Sequence, residues 1–322
     1  MITRRLVIAG LAASVLPGLA RAQETHRGPV TLIVPFAAGG STDAIARIVA
    51  EAMRGPLGQT VIVENRGGGG GSIGTAAIAR AAPDGLTIGM GTASTLAINP
   101  AAYVKLPYDV LADLAPIGLI AEVPNIMSIN PAVPARDMAS FIALAREKPD
   151  GFAYGSSGNG SVSHLMGEQF KLATATKMVH VPYRGVGPAL ADTVGGQIQV
   201  MFDNLPTSLS LVQDGKLRAL GVSAPQRLAV LPQVPTFAEL NLIELNWSAF
   251  FGLVAPAHTP QPVLARLNAA LNAALAQAPV RDLLAAQQAG VTPGTPAQFS
   301  TLMRREITRM QRATQAANIR IE

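Results

Sequence analysis

Short apolar runs alternate with Ala-rich helical segments along the chain. The run Val30 to Val34 is apolar at four of its five positions, which is typical of a strand buried on both faces. Further strands are predicted at 60–64 and 86–91, with helical spacing at 43–51 and from about 74 to 81 between them. This β-α-β-α-β opening predicts a doubly wound α/β sheet, whose ligands bind outside the carboxyl ends of the strands.

The rest of the chain repeats this alternation and then becomes helical. About 300 residues is enough for two domains, so the sequence predicts two α/β lobes connected by crossing strands. Strands are predicted within 117–129 and at 152–154, 178–182, 200–202 and 217–223, and helices at 138–147, from 161, over 262–289 and over 296–317.

The N-terminus has the three parts of an export signal. Arg4 and Arg5 form a basic head, residues 6–20 carry no charge, and Ala20-Arg21-Ala22 supplies a small-residue cleavage site. The apolar stretch is shorter than the roughly 20 residues needed to cross a bilayer. Residues 1–22 are therefore expected to be a cleaved signal peptide that delivers the protein to the periplasm. The arginine pair leaves the route open between general and twin-arginine export.

Composition and charge exclude several function classes. Three arginines behind the formal net charge of +5 lie in the leader, and no basic stripe follows, so nucleic acid is a poor partner. The chain has no cysteine, which excludes disulfides, thiolate metal sites and cysteine nucleophiles. Its four histidines are far apart in sequence, and we predict no metal and no cofactor.

Three strand-to-helix turns share a chemistry suited to an anion. The turn 36–43 has two glycines that let the backbone approach a ligand, then Ser41 and Thr42 at the start of a helix. Thr42 or Asp43 could equally be an ordinary helix cap. The turns 155–163 and 91–95 are also rich in small hydroxyl residues. Together they predict a cleft that holds a carboxylate with neutral donors and helix N-termini.

Two further residues have open roles. Asp203 follows the predicted strand 200–202 and would present an acceptor to an ammonium or hydroxyl group, or would simply cap a turn. His164, three residues after Ser161, is interpreted as a pocket donor because no acid is identified that would orient it as a base.

Enzymatic alternatives depend on the glycine-rich segment 67–74. Gly70-Gly71-Ser72-Ile73-Gly74 matches the G-x-S-x-G pattern of serine hydrolases. However, a nucleophile elbow needs its serine directly after the strand, and here a slack run of glycines intervenes. The segment also lacks the Lys-Ser/Thr ending of a phosphate-binding P-loop. A hydrolase using Ser72 stays a minor alternative, and we expect no enzyme activity.

The chain resembles the Bug or TctC family of periplasmic solute-binding proteins, the receptors of tripartite tricarboxylate transporters. The resemblance covers essentially the whole chain after the leader, in the family's order. It rests on VPFAAGGSTD at 34–43, VENR at 63–66, GSIG at 71–74, APDG at 82–85, INP at 98–100, KLPYD at 105–109, YGSSGNG at 154–160, HVPYRG at 180–185 and MFDNLP at 201–206. Gly67 to Gly70 replace the commoner Pro-Gly-Ala-Gly, and Arg184 stands where Lys is frequent.

This resemblance implies a Venus-flytrap fold, type II-like, with a mixed sheet flanked by helices in each lobe. It implies lobe 1 at 23–123 plus 248–322, lobe 2 at 124–247, and a monomer that delivers its ligand to a membrane permease. A sensor role beside a signalling receptor is the alternative. The implied ligand is a di- or tricarboxylate, an acidic amino acid or an aromatic acid. The expected binding residues are Phe36, Ala38, Gly40, Ser41, Thr42, Thr92, Ser94, Ser156, Ser157, Asn159, Ser161, His164 and Asp203.

Overall fold

The computed structural model describes residues 28–322, so the predicted signal peptide at 1–22 lies outside the described residues. Within 28–322, none of the helices combines the length and the apolar character required to span a bilayer. The described part of the chain forms two mixed sheets, each flanked by helices, which confirms the predicted fold class.

The strands follow the apolar runs of the sequence closely. The first strand, Val30–Val34, has the predicted bounds, and its side chains are almost completely buried apart from Thr31. The strands are β1 (Val30–Val34), β2 (Val61–Asn65), β3 (Thr87–Thr92), β4 (Leu114–Val123), β5 (Asn125–Ile129), β6 (Ala153–Ser156), β7 (Val179–Pro182), β8 (Val200–Asn204), β9 (Arg218–Val222), β10 (Ala249–Pro256) and β11 (Gly290–Val291).

The helices bury one stripe each against these sheets. In the first helix Ile45, Val49 and Met53 recur every four residues and are fully buried, and Gly58 ends the helix in the left-handed conformation. The helices are α1 (Ser41–Leu57), α2 (Ser72–Ala79), α3 (Asn99–Ala102), α4 (Met138–Glu147), α5 (Val162–Thr174), α6 (Val186–Val194), α7 (Leu205–Gln213), α8 (Gln261–Leu275), α9 (Ala278–Ala286) and α10 (Pro296–Ala316).

The first sheet has the strand order β11-β4-β10-β3-β1-β2. Strands β1, β2 and β3 are parallel, whereas β10 runs antiparallel to both β3 and β4. Strand β10 was not predicted from the sequence, although its eight residues are all buried. It joins two halves of the sheet, because it is the strand that pairs with β3 on one side and β4 on the other.

The second sheet has the order β7-β6-β8-β5-β9, with β6 parallel to β7 and β8 and the remaining pairs antiparallel. The chain passes from the first sheet to the second at Pro124, between β4 and β5, and returns between Val222 and Ala249. Each lobe is thus built around one sheet. We propose the lobe boundaries 23–123 plus 248–322 and 124–247, for which these two passages are the support.

Candidate ligand-binding site

A cleft lies between residues of the two lobes, at the carboxyl ends of β1, β3, β6 and β8. Its volume is about 30 Å³, which is small because the two lobes lie close together across it. The lining combines small hydroxyl residues with apolar side chains. It consists of Phe36, Ala37, Gly40, Ser41, Thr42, Thr92, Ala93, Ser94, Ser157, Val162, Ser163, Val186, Asp203, Asn204, Ala249, Phe250 and Phe251.

The turn after β1 is fixed from behind by Asp43. One carboxylate oxygen of Asp43 accepts the Gly39 N–H at 3.0 Å, and the other accepts the Asn65 side-chain amide at 3.0 Å. Arg47, one helical turn later, forms an ion pair with the same carboxylate. Burial opposes ionisation of Asp43, but the hydrogen bonds from Arg47, Gly39 and Asn65 outweigh it and lower its pKa. Asp43 is therefore a brace of the turn.

The N-terminus of α1 faces the cleft. Gly40 precedes the helix in an extended conformation, and no side chain caps it. Among the described residues, Thr207 is the only side chain that accepts a hydrogen bond from a backbone N–H of the first turn of α1, that of Ser41 at 3.2 Å. The backbone N–H groups of Thr42 and Asp43 and the positive end of the helix dipole are thus available to an anion.

The turn after β6 presents a cluster of serine hydroxyls. Ser161 caps α5 by accepting the His164 N–H at 3.3 Å. Ser163 accepts the Ser157 N–H at 3.0 Å, and its hydroxyl lies 3.0 Å from that of Ser161. Ser157 and Ser163 line the cleft, whereas Ser161 holds the helix start in place.

Two histidines lie behind this second turn. His164 accepts the Gly160 N–H on Nδ1 at 3.2 Å, and His180 Nε2 lies 2.6 Å from the hydroxyl of Ser156. The Ser156 hydroxyl in turn accepts the Gly158 N–H at 3.2 Å. Burial lowers the pKa of His164 to about 4 and that of His180 to about 3, so both rings are neutral at pH 7.

The third turn closes the cleft from the first lobe. The hydroxyl of Thr95 accepts the Thr92 N–H at 3.1 Å, which ties the end of β3 to the π-helical turn Ser94–Ile98. Ser94 accepts the Val162 N–H at 3.0 Å. That bond joins the first lobe to the N-terminus of α5 in the second.

Asp203 is the only charged residue among those that line the cleft within 28–322, and no Lys, Arg or His contributes to that lining. Its carboxylate accepts the Asn204 N–H at 2.7 Å and the Ser208 hydroxyl at 3.0 Å. Burial nevertheless raises the pKa of Asp203 to about 7, since these hydrogen bonds only partly offset the loss of solvation.

The lobes touch one another through direct hydrogen bonds beside the cleft. The Ser41 hydroxyl donates to the Asn204 side-chain oxygen at 3.1 Å. The Tyr103 hydroxyl lies within hydrogen-bond distance of two carbonyl oxygens, at 2.8 Å from Gly69 and 3.2 Å from Asn159 in the other lobe. Gly70 has a φ of 58°, and a Cβ there would overlap the Asn159 carbonyl, so the glycine tract permits this close approach.

The structure brings together eight of the thirteen residues predicted for the site. Phe36, Gly40, Ser41, Thr42, Thr92, Ser94, Ser157 and Asp203 line the cleft. The other five do not line it. Ala38 and Asn159 are exposed on their turns, Ser156 and Ser161 are buried within the second turn, and His164 lies behind it.

Several lining residues were not predicted from the sequence. Asn204 and Ser163 adjoin predicted residues and carry suitable donors, so their position after a strand or at a helix start was a usable signal. Phe250 and Phe251 belong to the unpredicted strand β10, and Val186 to a helix that was not predicted.

Ser72 does not have the surroundings of a hydrolase nucleophile. It is the first residue of α2, buried and close to the Tyr103 hydroxyl, and it is not among the residues that line the cleft. His164 and His180, which could have served as a base, stack on each other and not against Ser72. Within residues 28–322, no three His, Asp or Glu side chains are grouped so that they could hold a metal ion.

Comparison with known families and relatives gives a consistent result. The family described as "Tripartite tricarboxylate transporter family receptor" matches residues 45–319. Among individual relatives, BugT of Bordetella pertussis is 36% identical over 305 residues, which cover 94% of this chain and 92% of BugT.

Three solved structures share the fold closely. A periplasmic transporter has 43% identity and a TM-score of 0.89, covering 92% of this chain and all of that one. A Rhodopseudomonas palustris protein with adipate has 33% identity and a TM-score of 0.87, covering 92% and 99%. MatC from the same organism, with bound malate, has 34% identity and a TM-score of 0.85, covering 88% and 98%.

Proposed function

The chain belongs to the tripartite tricarboxylate transporter receptor family, and from that premise we propose that it is a periplasmic solute-binding protein for a small organic carboxylate. The support is the cleft itself, where the N-terminus of α1 and the serine cluster at the start of α5 meet around one space. Helix N-termini and backbone N–H groups are ready-made anion sites.

Neutral donors suit a protein that must also release its ligand. Within residues 28–322 the cleft has no lining cation, so a carboxylate would be held by N–H groups, hydroxyls and the helix dipole. A helix dipole stabilises a charge at the helix end by about 0.3–1 kcal/mol. A buried cation in the cleft would cost about 3–5 kcal/mol whenever its anionic partner was absent. Such a site leaves no unpaired buried cation in the empty protein.

The remaining lining limits the rest of the ligand. Phe36, Phe250 and Phe251 provide an apolar wall, whereas Asp203 and Asn204 provide polar groups on the second lobe. We propose a ligand with one carboxylate at the helix N-termini and a short body that ends near Asp203. Di- and tricarboxylates, acidic amino acids and small aromatic acids fit this description, and relatives have been solved with adipate and malate.

The transport step is the finer part of the proposal. We propose that the ligand-loaded protein acts as a monomer and passes its ligand to a tripartite tricarboxylate-type permease in the membrane. Support comes from the family description and from the predicted export signal. We propose no catalytic role, since the described cleft contains no nucleophile with an adjacent base.

The experiment is a titration of the mature protein with malate and adipate by isothermal calorimetry. Malamide, the diamide of malate, is the matched control because it keeps the shape and loses both charges. In a parallel urea unfolding experiment at a ligand concentration of 100 Kd, the free energy of unfolding should rise by about 2.7 kcal/mol. If malamide bound as well as malate, or if no organic acid stabilised the protein, the proposed function would be wrong.

A further inference from the structure

A second groove exists away from the cleft, where the two lobes meet around the sole tryptophan. Its walls are α5 of the second lobe, the segment 243–247 and α10 of the first lobe, and its volume is about 750 Å³. This volume is typical of a small-molecule pocket. None of its lining residues belongs to the cleft.

The groove is apolar at its floor and along two walls. Trp247 and Met310 form part of the floor and are buried, whereas Leu172 and Ile243 are 58% and 64% exposed. An exposed apolar patch rimmed by polar residues is one mark of a ligand-binding groove.

The remaining wall is basic. Arg305 and Arg309 both bond to the buried carboxylate of Glu306, and the Arg309 guanidinium also lies 5.2 Å from the centre of the Trp247 ring. Arg312, one turn further along α10, has no acidic partner among the described residues. Glu244 is the single acid among the described residues that line the groove. The groove therefore places an apolar surface, which could contact the body of a ligand, next to the guanidinium of Arg312, unpaired within residues 28–322.

A chain of hydrogen bonds joins this groove to the cleft. The Trp247 carbonyl accepts the Asn125 side-chain amide at 2.7 Å, and Asn125 accepts the Asn204 side-chain amide at 2.7 Å. Asn204 accepts the Ser41 hydroxyl at 3.1 Å. On the groove side, the Trp247 ring donates to Gln169 of α5 at 3.2 Å. Trp247 is thus hydrogen-bonded within the second lobe, while its ring contacts Arg309 of the first lobe, so its environment depends on the relative position of the lobes.

We propose that this groove is a second binding site, for a small organic anion with an apolar body, whose occupancy is linked to the contact between the lobes. The anionic head would lie near Arg312 and the apolar body over Trp247, between Leu172 and Ile243. The site itself does not depend on the proposed function. Only the linkage to the cleft rests on it.

The test is a titration followed by the fluorescence of Trp247, with octanoate as the probe and octylammonium as the control of equal length and opposite charge. A saturable response to octanoate alone is expected. Arg312→Glu and Leu172→Glu, both at exposed positions, should each weaken octanoate binding by about tenfold or more, as loss of a charged partner or of apolar contact does. Arg304→Glu is the matched control, since Arg304 is exposed on the same helix outside the groove.

A cleft variant separates the two sites. Gly40→Val, which is expected to lose malate binding, should still bind octanoate, and malate should no longer alter its octanoate affinity. No response to octanoate, an equal response to octylammonium, or unchanged binding in Arg312→Glu would overturn the proposal. Self-association in sedimentation velocity that Leu172→Glu removes would assign the groove to a second copy of the chain, and would overturn it as well.

Discussion

The imidazole rings of His164 and His180 stack nearly parallel, with their centroids 4.1 Å apart and an angle of 10° between the planes. The ring of His164 accepts the Gly160 N–H, and the ring of His180 is hydrogen-bonded to the Ser156 hydroxyl. The pair therefore supports both ends of the serine-rich turn beside the cleft. Neither ring reaches the cleft itself. The histidines therefore shape a binding turn without contacting the expected ligand.

The stacked pair predicts a loss of stability in acid. Burial lowers the pKa of both rings below the usual 6.5; Glu168 opposes this for His164, and Lys171 adds to it for both. The unfolded chain binds more protons than the folded one below pH 6.5, so stability falls as the pH drops through about 4 and then 3. Urea unfolding between pH 7 and pH 3.5 should show this decrease.

A matched set of variants assigns the decrease to the pair. His164→Gln keeps an acceptor for Gly160 and cannot be protonated, so its stability should vary less with pH than that of the wild type. His258→Gln, at an exposed position, should behave as wild type. Identical pH profiles for all three proteins would contradict the role assigned to the stacked rings.

Asp203 predicts a different pH dependence, in the neutral range. Its pKa of about 7 is raised above the usual value, so the folded protein favours the protonated carboxyl and loses stability as the pH rises from about 4 through 7. Ionised Asp203 also repels a second carboxylate. Malate affinity should therefore fall by about tenfold between pH 6 and pH 8 as Asp203 ionises. The carboxyl groups of the ligand ordinarily titrate near pH 4, so their charge changes little in this range.

Asp203→Asn should bind malate with nearly equal affinity at pH 6 and pH 8 in calorimetry. It should also unfold at a higher urea concentration than the wild type at pH 8, because no buried charge forms. An equally steep pH dependence in this variant would show that another group is responsible.

Gly40→Val tests the geometry of the first turn. A Cβ on Gly40 would lie 3.1 Å from the Cγ1 of Val186 in the other lobe, and Gly40 has an ordinary extended conformation. The variant should fold and lose malate binding by about a hundredfold or more, a few kcal/mol. Gly55→Val is the control, since a Cβ there meets nothing within 4 Å. Unchanged affinity in Gly40→Val would contradict the proposed placement of the carboxylate.

Gly70→Ala tests whether the lobes must meet for tight binding. A Cβ on Gly70 would overlap the Asn159 carbonyl of the other lobe. Gly58→Ala has a similar positive φ, 67°, but open space around it, so both variants incur about 1–2 kcal/mol of backbone strain. Only Gly70→Ala should weaken malate binding and enlarge the radius of gyration of the loaded protein. Equal malate affinities in the two variants would argue against this contact.

The fold could be predicted from periodicity where strands and helices alternate with clear boundaries. Strand β1 and helix α4 have their predicted bounds. Strand β10 was missed because an eight-residue apolar run between loops has no period of its own, so its pairing with β3 and β4 is decided by tertiary contacts.

The site was predictable only to the level of its turns. Glycines and hydroxyl residues after a strand indicate a binding turn, and the structure brings three such turns together. Which side chain points into the cleft depends on packing. His164 turns away to stack on His180, and Phe251 enters from β10, a strand whose place between β3 and β4 is set by tertiary contacts, so neither position could be decided from local sequence.

The contact of Gly70 with Asn159 also bears on how long a captured molecule stays. Beside it, Ser41 bonds to Asn204 and Ser94 bonds to Val162, so the cleft is fastened on more than one side. A bound acid would then leave only when these contacts between the lobes break. Its dissociation rate would depend on how often the lobes separate more than on the strength of its own few hydrogen bonds. A membrane partner that draws Gly70 away from Asn159 would discharge the cargo without touching it.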